Sequence, residues 1–379
     1  MKKLLTVVLL LMATAITGCG TDKNATPQAG SGSTDNGVAE AKAFLSDYLK
    51  PPTSVGVTQP LSEKPPTEQT VVGLEGPFGT SKVVAAGWKA ATEALGWTYK
   101  GIDIGTDPEG IQKAFSSALS LNPAPDAIIA AGSPKSSFSA QLAEAKSRGI
   151  AVISNSTLDE AGTGDGLTAT VGGAPDSELA GKILAAEVVA DSDANAHVAL
   201  FTLPAYPVLG GFTDSFQANL SAWCPNCSVT VVEQQATDIG TKTPSSVVST
   251  FQADQELDYA VFALGDMTIG VSPALKASGL ADRVKILGQL ASAPNIASVA
   301  AGTEYAWTAF PAPSFGWTSV DAIARHSVGD DPKVDTDAVY ATMLLTKDSV
   351  ADLAQDTDGN FIGVVDYEDQ WKKLWLIDQ

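Results

Sequence analysis

From Val71 onward, short and almost unbroken apolar runs alternate with longer stretches in which apolar positions return every three or four residues. Runs of the first kind read as strands buried on both faces, and those of the second as amphipathic helices. Strands are predicted at Val71 to Leu74, Thr98 to Ile104, Ala127 to Ala131 and Ala151 to Ser154. Helices fall between them, from about Thr80 to Leu95, from Asp107 to Leu121 and from Lys135 to Arg148. Asp107-Pro108-Glu109 suits a helix start, with a capping Asp, Pro in the first turn and an early acid.

After a long loop the alternation resumes. Helices are predicted at Ser177 to Val189, Gly210 to Ala222, Pro244 to Gln255, Met267 to Ser278, Pro294 to Ala300 and Ser314 to His326. The strands among them are His197 to Leu203, Val229 to Glu233, Tyr259 to Ala263, Lys285 to Gly288 and Tyr305 to Phe310, with Tyr340 to Thr346 as an edge strand. This is an α/β chain of about two parallel sheets, each with about four or five strands and covered by helices. Its 379 residues exceed what one simple core organises, which also argues for two lobes. Ahead of the alternation lie a short amphipathic helix, Val38 to Leu49, and an extended Pro-rich strap, Pro51 to Pro66. Behind it, Tyr367, Trp371 and Trp375 are spaced as one helix face packing back on the body.

The amino terminus changes where the protein is placed. Lys2 and Lys3 precede an apolar stretch from Leu4 to Ile16, long enough for a signal-peptide core but short of the roughly 20 residues of a spanning helix. It ends Ala15-Ile16-Thr17-Gly18-Cys19, which resembles the lipobox of bacterial lipoproteins. That resemblance implies a signal peptide over 1–18, lipidation of Cys19 and an extracytoplasmic chain anchored to the bacterial cell membrane; diacylation gives two chains where one would hold only marginally. The segment 19–37 then reads as a lipidated cysteine and flexible tether, rich in Gly, Ser, Thr and Asn. No later apolar run approaches spanning length.

Charge removes one class of partner. With 23 Lys+Arg against 43 Asp+Glu, a formal −20, the surface repels phosphate backbones, so nucleic acid is not expected. Of three cysteines, Cys224 and Cys227 remain beside Cys19. In an exported protein they read most simply as a small disulfide loop; the rival is a thioredoxin-like exchange centre, which wants the pair opening a helix instead of following one. No metal is expected, because the chain has 2 His and no second cysteine pair, and no cofactor, because no phosphate-binding glycine loop is present. No nucleophile elbow appears either, and the chain reads as a binder, not an enzyme.

Ligands of parallel α/β sheets sit at the carboxyl ends of the strands. There the chain offers Phe78, Phe138, Tyr206, Phe310, Phe315 and Trp317, aromatic surfaces that stack on rings. Trp88, within the first helix, leans toward core packing. Glu75, Ser133, Lys135, Asn155 and Gln289 occupy strand ends and could hydrogen-bond a polar handle. Asp266 stands where it either caps the helix that follows or reaches a ligand.

These features in this order resemble the type I periplasmic binding proteins, specifically ribose-binding-like substrate-binding lipoproteins of ABC transporters. The residues that carry the resemblance are Gly76-Pro77-Phe78, Val171-Gly172-Gly173 with Ala180-Gly181, Val261 to Asp266, Ile286-Leu287-Gly288, and Gly316-Trp317 with Asp321-Ala322. It implies two doubly wound lobes joined by three crossovers, near Val171, Phe310 and Leu344. Lobe 1 would be 71–171 plus 311–343, lobe 2 would be 172–310 plus 344–350, with 38–70 as helix and strap and 351–379 as a packed tail. It also implies an ABC permease and its ATPase as partners. The family's pentose and hexose binders carry an Asn-Asp pair where this chain has Gly265-Asp266, and an Asp where it has Leu290. The ligand expected is therefore a small neutral molecule of reduced polarity, such as a modified sugar, cyclic alcohol or aromatic. An ordinary monosaccharide receptor and a sensory receptor of the same fold stay open as alternatives.

Overall fold

The computed structural model describes residues 31–377 except Pro108; Cys19 and the leader lie outside the described residues. The first element is helix α1, Ser31–Leu45, so 31–37 of the expected tether is helical, and the expected helical end at Leu49 is taken by a 3₁₀ turn, Ser46–Tyr48. The strap runs without helix or strand to β1, Thr70–Glu75. The first lobe continues α2 (Gly79–Ala94), β2 (Thr98–Asp103), α3 (Gly110–Leu119), β3 (Ala127–Ala131), α4 (Ser139–Ser147), β4 (Ala151–Asn155) and β5 (Ala169–Val171). Its five strands are parallel in the order β2-β1-β3-β4-β5.

The second lobe starts with α5 (Ala174–Asp191), β6 (His197–Thr202), α6 (Pro207–Trp223), β7 (Ser228–Glu233), α7 (Thr243–Ala253) and β8 (Tyr259–Phe262). It ends with α8 (Val271–Ala277), β9 (Lys285–Ala291), α9 (Ala293–Ala301) and β10 (Ala306–Ala309). Then come α10 (Ala312–Val328), α11 (Lys333–Asp337), β11 (Leu344–Leu345) and α12 (Tyr367–Leu374). The second sheet runs β11-β10-β9-β8-β6-β7, parallel except for β11. Leaving out β11, both sheets follow one doubly wound order, so each has its switch point, and its ligand crevice, beside its first strand.

The runs explain the layers. β3 is buried at every position, as is Val198 to Thr202 of β6, because helices cover both faces. β2 and β7 are edge strands with mostly exposed residues. Several expected elements differ. The helix expected at Met267 to Ser278 is broken at Gly270, whose φ of 80° separates a 3₁₀ turn from α8. The stretch from Lys135 opens as a 3₁₀ turn before α4. Asp107 does not cap α3, which starts at Gly110 after an N-cap, Glu109, that makes no side-chain bond. Of the expected edge strand from Tyr340 only Leu344–Leu345 pairs; β5 and α11 were not anticipated.

The chain passes between lobes at Gly172-Gly173, at Phe310-Pro311 and between α11 and β11, and the flanks add two further passages. Ala41 and Leu45 of α1 belong to the core of the second lobe, whereas Val55, Val57 and Leu61 of the strap share the first lobe's core with Trp371 and Trp375. Phe361 likewise packs in the second lobe before α12 returns to the first. Strap and tail are tied together by Leu61 N–H to Leu374 O (2.9 Å). Beneath them Arg325, 1% exposed, donates to Asp321 (2.7 Å) and to Gln59 O (2.6 Å), and the Trp375 indole donates to Asp321 (2.6 Å). Asp335 completes this buried group, its carboxyl raised well above the ordinary range by burial and then by Asp321. Cys224 and Cys227 follow α6 with their sulfurs 1.97 Å apart.

Candidate functional site

The carboxyl ends of both sheets meet the hinge segments around a cavity of about 110 Å³. The first lobe contributes the turn Gly76-Pro77-Phe78, Ala131-Gly132 after β3, and Asn155-Ser156 after β4. From the second come Tyr206 at the start of α6, Leu264 after β8, and Gln289-Leu290 in β9. The passages between lobes supply Gly172, Asp176 and Ser177, then Phe310 and Phe315, then Tyr340.

Aromatic rings shape two sides. Phe310, Phe315 and Tyr340 form a triad with centroids 5.1, 5.2 and 5.6 Å apart, all tilted or edge-on, the arrangement the ring quadrupoles favour. Phe78 and Tyr206 meet edge-on across the lobes at 5.3 Å. Trp88 also borders the cavity, and its buried indole N–H has no acceptor among the described residues.

Two wall residues, Ser156 and Leu290, hold φ values of 58° and 57°. Non-glycine residues there cost of order 1–3 kcal/mol and persist where the surroundings fix them, commonly at ligand clamps. Leu290 stands at the position where the resemblance expects an aspartate. At neighbouring Gly265 an added Cβ would lie 2.5 Å from Asn295 Oδ1 and 2.6 Å from Leu290 O, so an asparagine could not replace it without local movement.

The polar side chains are largely committed. Asn155 Nδ2 donates to Ser319 (2.8 Å) and its Oδ1 accepts from Ser156 (3.0 Å). Gln289 Nε2 donates to Ala263 O (2.9 Å). Asp176, 5% exposed, accepts the Tyr340 backbone N–H at 2.9 Å, and burial pushes its carboxyl up to about 7. Among the described residues lining the cavity it is the one acid, and there is no Lys, Arg or His.

Of the residues expected at the site, Phe78, Asn155, Tyr206, Gln289, Phe310 and Phe315 border this cavity. The others stand elsewhere for local reasons. Trp317 lies two positions past Phe315, which on a helix is nearly the opposite face; it stacks on Trp375 at 5.2 Å and 7°. Phe138 is turned by the 3₁₀ segment onto Phe115 (5.3 Å), beneath α3 and α4. Lys135 bonds the loop after β4, through Asp165 (2.6 Å) and Glu160 O (2.8 Å), and draws the Asp165 carboxyl down to about 2. Glu75 accepts the Tyr99 hydroxyl (3.0 Å) on the β2 side, and Ser133 is half-buried outside the cavity lining.

Asp266 caps a helix, though not the one after it. Its carboxylate crosses the cleft to accept Gly79 N–H at 3.0 Å and the Thr80 hydroxyl, closing the start of α2, whose own N-cap, Phe78, supplies no side-chain bond. Beyond this bridge lies an outer depression of about 600 Å³ bordered by Asp266, Asn295, Glu304 and Asn360. The smaller inner cavity is the candidate site, because it alone of the two gathers Gly172, Asp176 and Tyr340 from the hinges.

Asp176, Tyr340, Trp88, Ser156 and Leu290 were not among the expected ligand-binding residues. Asp176 was legible only with the true start of its helix, which begins at Ala174 and not at Ser177.

The periplasmic binding protein domain family matches residues 76–331. No curated protein sequence matches the chain. Among solved structures, a 5-methylthioribose transporter solute-binding protein from Thermotoga lettingae superposes with a TM-score of 0.66 at 15% identity, over 84% of this chain and 99% of that one. A solute-binding protein from Agrobacterium vitis bound with α-D-tagatopyranose gives 0.65 at 17%, over 76% and 97%. One from Bacillus halodurans with bound myo-inositol gives 0.62 at 19%, over 76% and 97%. At such identities these likenesses show the fold.

Proposed function

Because the chain belongs to the periplasmic binding protein family, we propose that it is the extracytoplasmic receptor of an ABC importer, capturing a small solute by closing its lobes on the inner cavity. The construction of that cavity carries the reading: both sheets and all three central passages contribute to one wall, so closure and enclosure are the same event. Ligand-binding cavities combine apolar walls with few polar groups, and this one has an aromatic triad with most of its polar side chains already bonded. A ring with an apolar face suits it: a modified sugar, a cyclic alcohol or a small aromatic. No chemical step is involved; a membrane permease receives the solute from the closed form and an ATPase drives its passage. Cys19 carries the lipid that keeps the receptor at the membrane.

Two experiments test this. Protein purified from its own membranes without added ligand, then denatured, should release one ring-containing solute that the Phe310→Ala protein does not retain. Release of nothing, with no thermal shift across sugars, cyclitols, small aromatics and cyclic amines, would contradict the receptor. For the anchor, intact mass should place a diacylglyceryl group on Cys19 with 1–18 removed; an unlipidated chain beginning elsewhere would contradict it.

A further inference from the structure

The inner cavity carries one acidic side chain and no basic one. Among the described residues bordering it there is no Lys, Arg or His, and Asp176 is the only acid. Its carboxylate receives one backbone N–H from Tyr340, plus that of its own residue, and is otherwise surrounded by burial. A buried carboxylate with no cationic partner is costly, and proteins ordinarily pair such a group or let it take up a proton. Here it is placed where a bound molecule would reach it.

The same corner is aromatic. The backbone bond fixes Asp176 to Tyr340, whose ring forms the triad with Phe310 and Phe315. Aromatic faces attract cations by their quadrupole, and do so more strongly when desolvated. A lone carboxylate beside an aromatic triad is therefore selective for a positively charged nitrogen over an uncharged group of equal size. The field of the whole chain acts in the same direction, since a formal −20 concentrates small cations near the surface. Size limits the rest of the molecule: an apolar cavity of about 150 Å³ holds one benzene, so a cavity of about 110 Å³ that opens to solvent on one side suits nothing larger than one ring.

We propose that the solute is a small monocation, a protonated amine on a single ring, with its nitrogen held between Asp176 and the Phe310–Phe315–Tyr340 triad. This rests on the receptor reading and changes its ligand from neutral to cationic. Burial alone holds the Asp176 carboxyl up at about 7, the condition of an acid that lacks its counter-charge.

Calorimetric titration with matched pairs tests it: cyclohexylamine against cyclohexanol, benzylamine against benzyl alcohol, and 2-amino-2-deoxyglucose against glucose. At least one amine should bind at least ~30-fold more tightly than its hydroxyl counterpart, as hydrogen bonds to a buried charge commonly give. In Asp176→Asn, which keeps an acceptor for the Tyr340 N–H, that ratio should fall to about threefold or less. Lys113→Ala, on the exposed side of α3, should keep the wild-type ratio. Equal or tighter binding of the neutral members, or a ratio unchanged in Asp176→Asn, would overturn the cationic ligand while leaving the receptor intact. Binding of neither arm to a folded protein would overturn the inner cavity as a solute site, and both readings with it.

Discussion

Asp176 and Asp266 are both buried carboxylates at junctions between the lobes, and their surroundings give them opposite work. Asp266 spends both oxygens on the start of α2 in the other lobe, joining residues 187 apart in sequence, and belongs to the closed architecture. Asp176 sits in the first turn of its own helix, accepts the Tyr340 N–H, and borders the cavity without a cation. What separates a structural from a cavity-facing acid here is not residue type or strand-end position, which the two nearly share. It is whether donors across the junction occupy both oxygens, as Gly79 and Thr80 do for Asp266, or whether a single backbone N–H leaves the acid beside an aromatic wall, as at Asp176.

The difference can be sharpened first through pH. An acid raised to about 7 in the folded state, against about 3.9 unfolded, holds a proton over that interval which the unfolded chain has already lost. Its contribution to stability is therefore full below pH ~4, declines as pH rises toward 7 and is constant above, a fall on the order of a few kcal/mol. Urea unfolding at pH 4.5 and 7.5 should show a larger decline in the ligand-free wild type than in Asp176→Asn, whose remaining decline comes from Glu304, which burial also pushes up to about 7, and from Asp335. Equal declines would make Asp176 an ordinary paired acid.

Truncating the aromatic wall comes next. A large aromatic at a desolvated centre commonly contributes about 2 kcal/mol or more, so Phe310→Ala should weaken solute binding by at least ~30-fold in titration. Asp266→Ala should cost about 1–2 kcal/mol of the closed form by leaving the α2 amide end uncapped. It should bind the solute about tenfold more weakly and show a larger radius of gyration in scattering, whereas Asp266→Asn, which still caps, should stay near wild type. A loss confined to binding, with no opening, would move Asp266 into the ligand-contacting group. The smallest effect belongs to Lys135→Ala: its ion pair with Asp165 is partly exposed, of the kind that contributes at most ~1 kcal/mol, and the melting temperature should drop slightly with solute affinity unchanged.

The winding of both lobes was legible because buried parallel strands write themselves as continuous apolar runs, as in Ala127 to Ala131 and Val198 to Phe201. The tail was legible from the spacing of Tyr367, Trp371 and Trp375, the last two of which are fully buried. The candidate site was legible in part of its aromatic wall and in two strand-end amides, Asn155 and Gln289. Phe310 and Phe315 lie where a strand end and a helix start face the cleft, but the same argument admitted Trp317, because whether two aromatics two residues apart share a face depends on where the helix begins. Tyr340 and Leu290 carry no local signal: one is brought in by the third passage between lobes, the other by a left-handed backbone that only the assembled strand reveals.

The measurement that bears most directly on the central claim is a high-resolution crystal structure of protein purified without added ligand. It should show a single-ring solute in the inner cavity, its ring against Phe310 and Phe315 and a nitrogen within hydrogen-bonding distance of Asp176, with Asp266 bonded to Gly79 and Thr80. A solute seated instead in the outer depression beside Asn295 and Glu304, or a polyhydroxylated sugar making no contact with Asp176, would contradict the account.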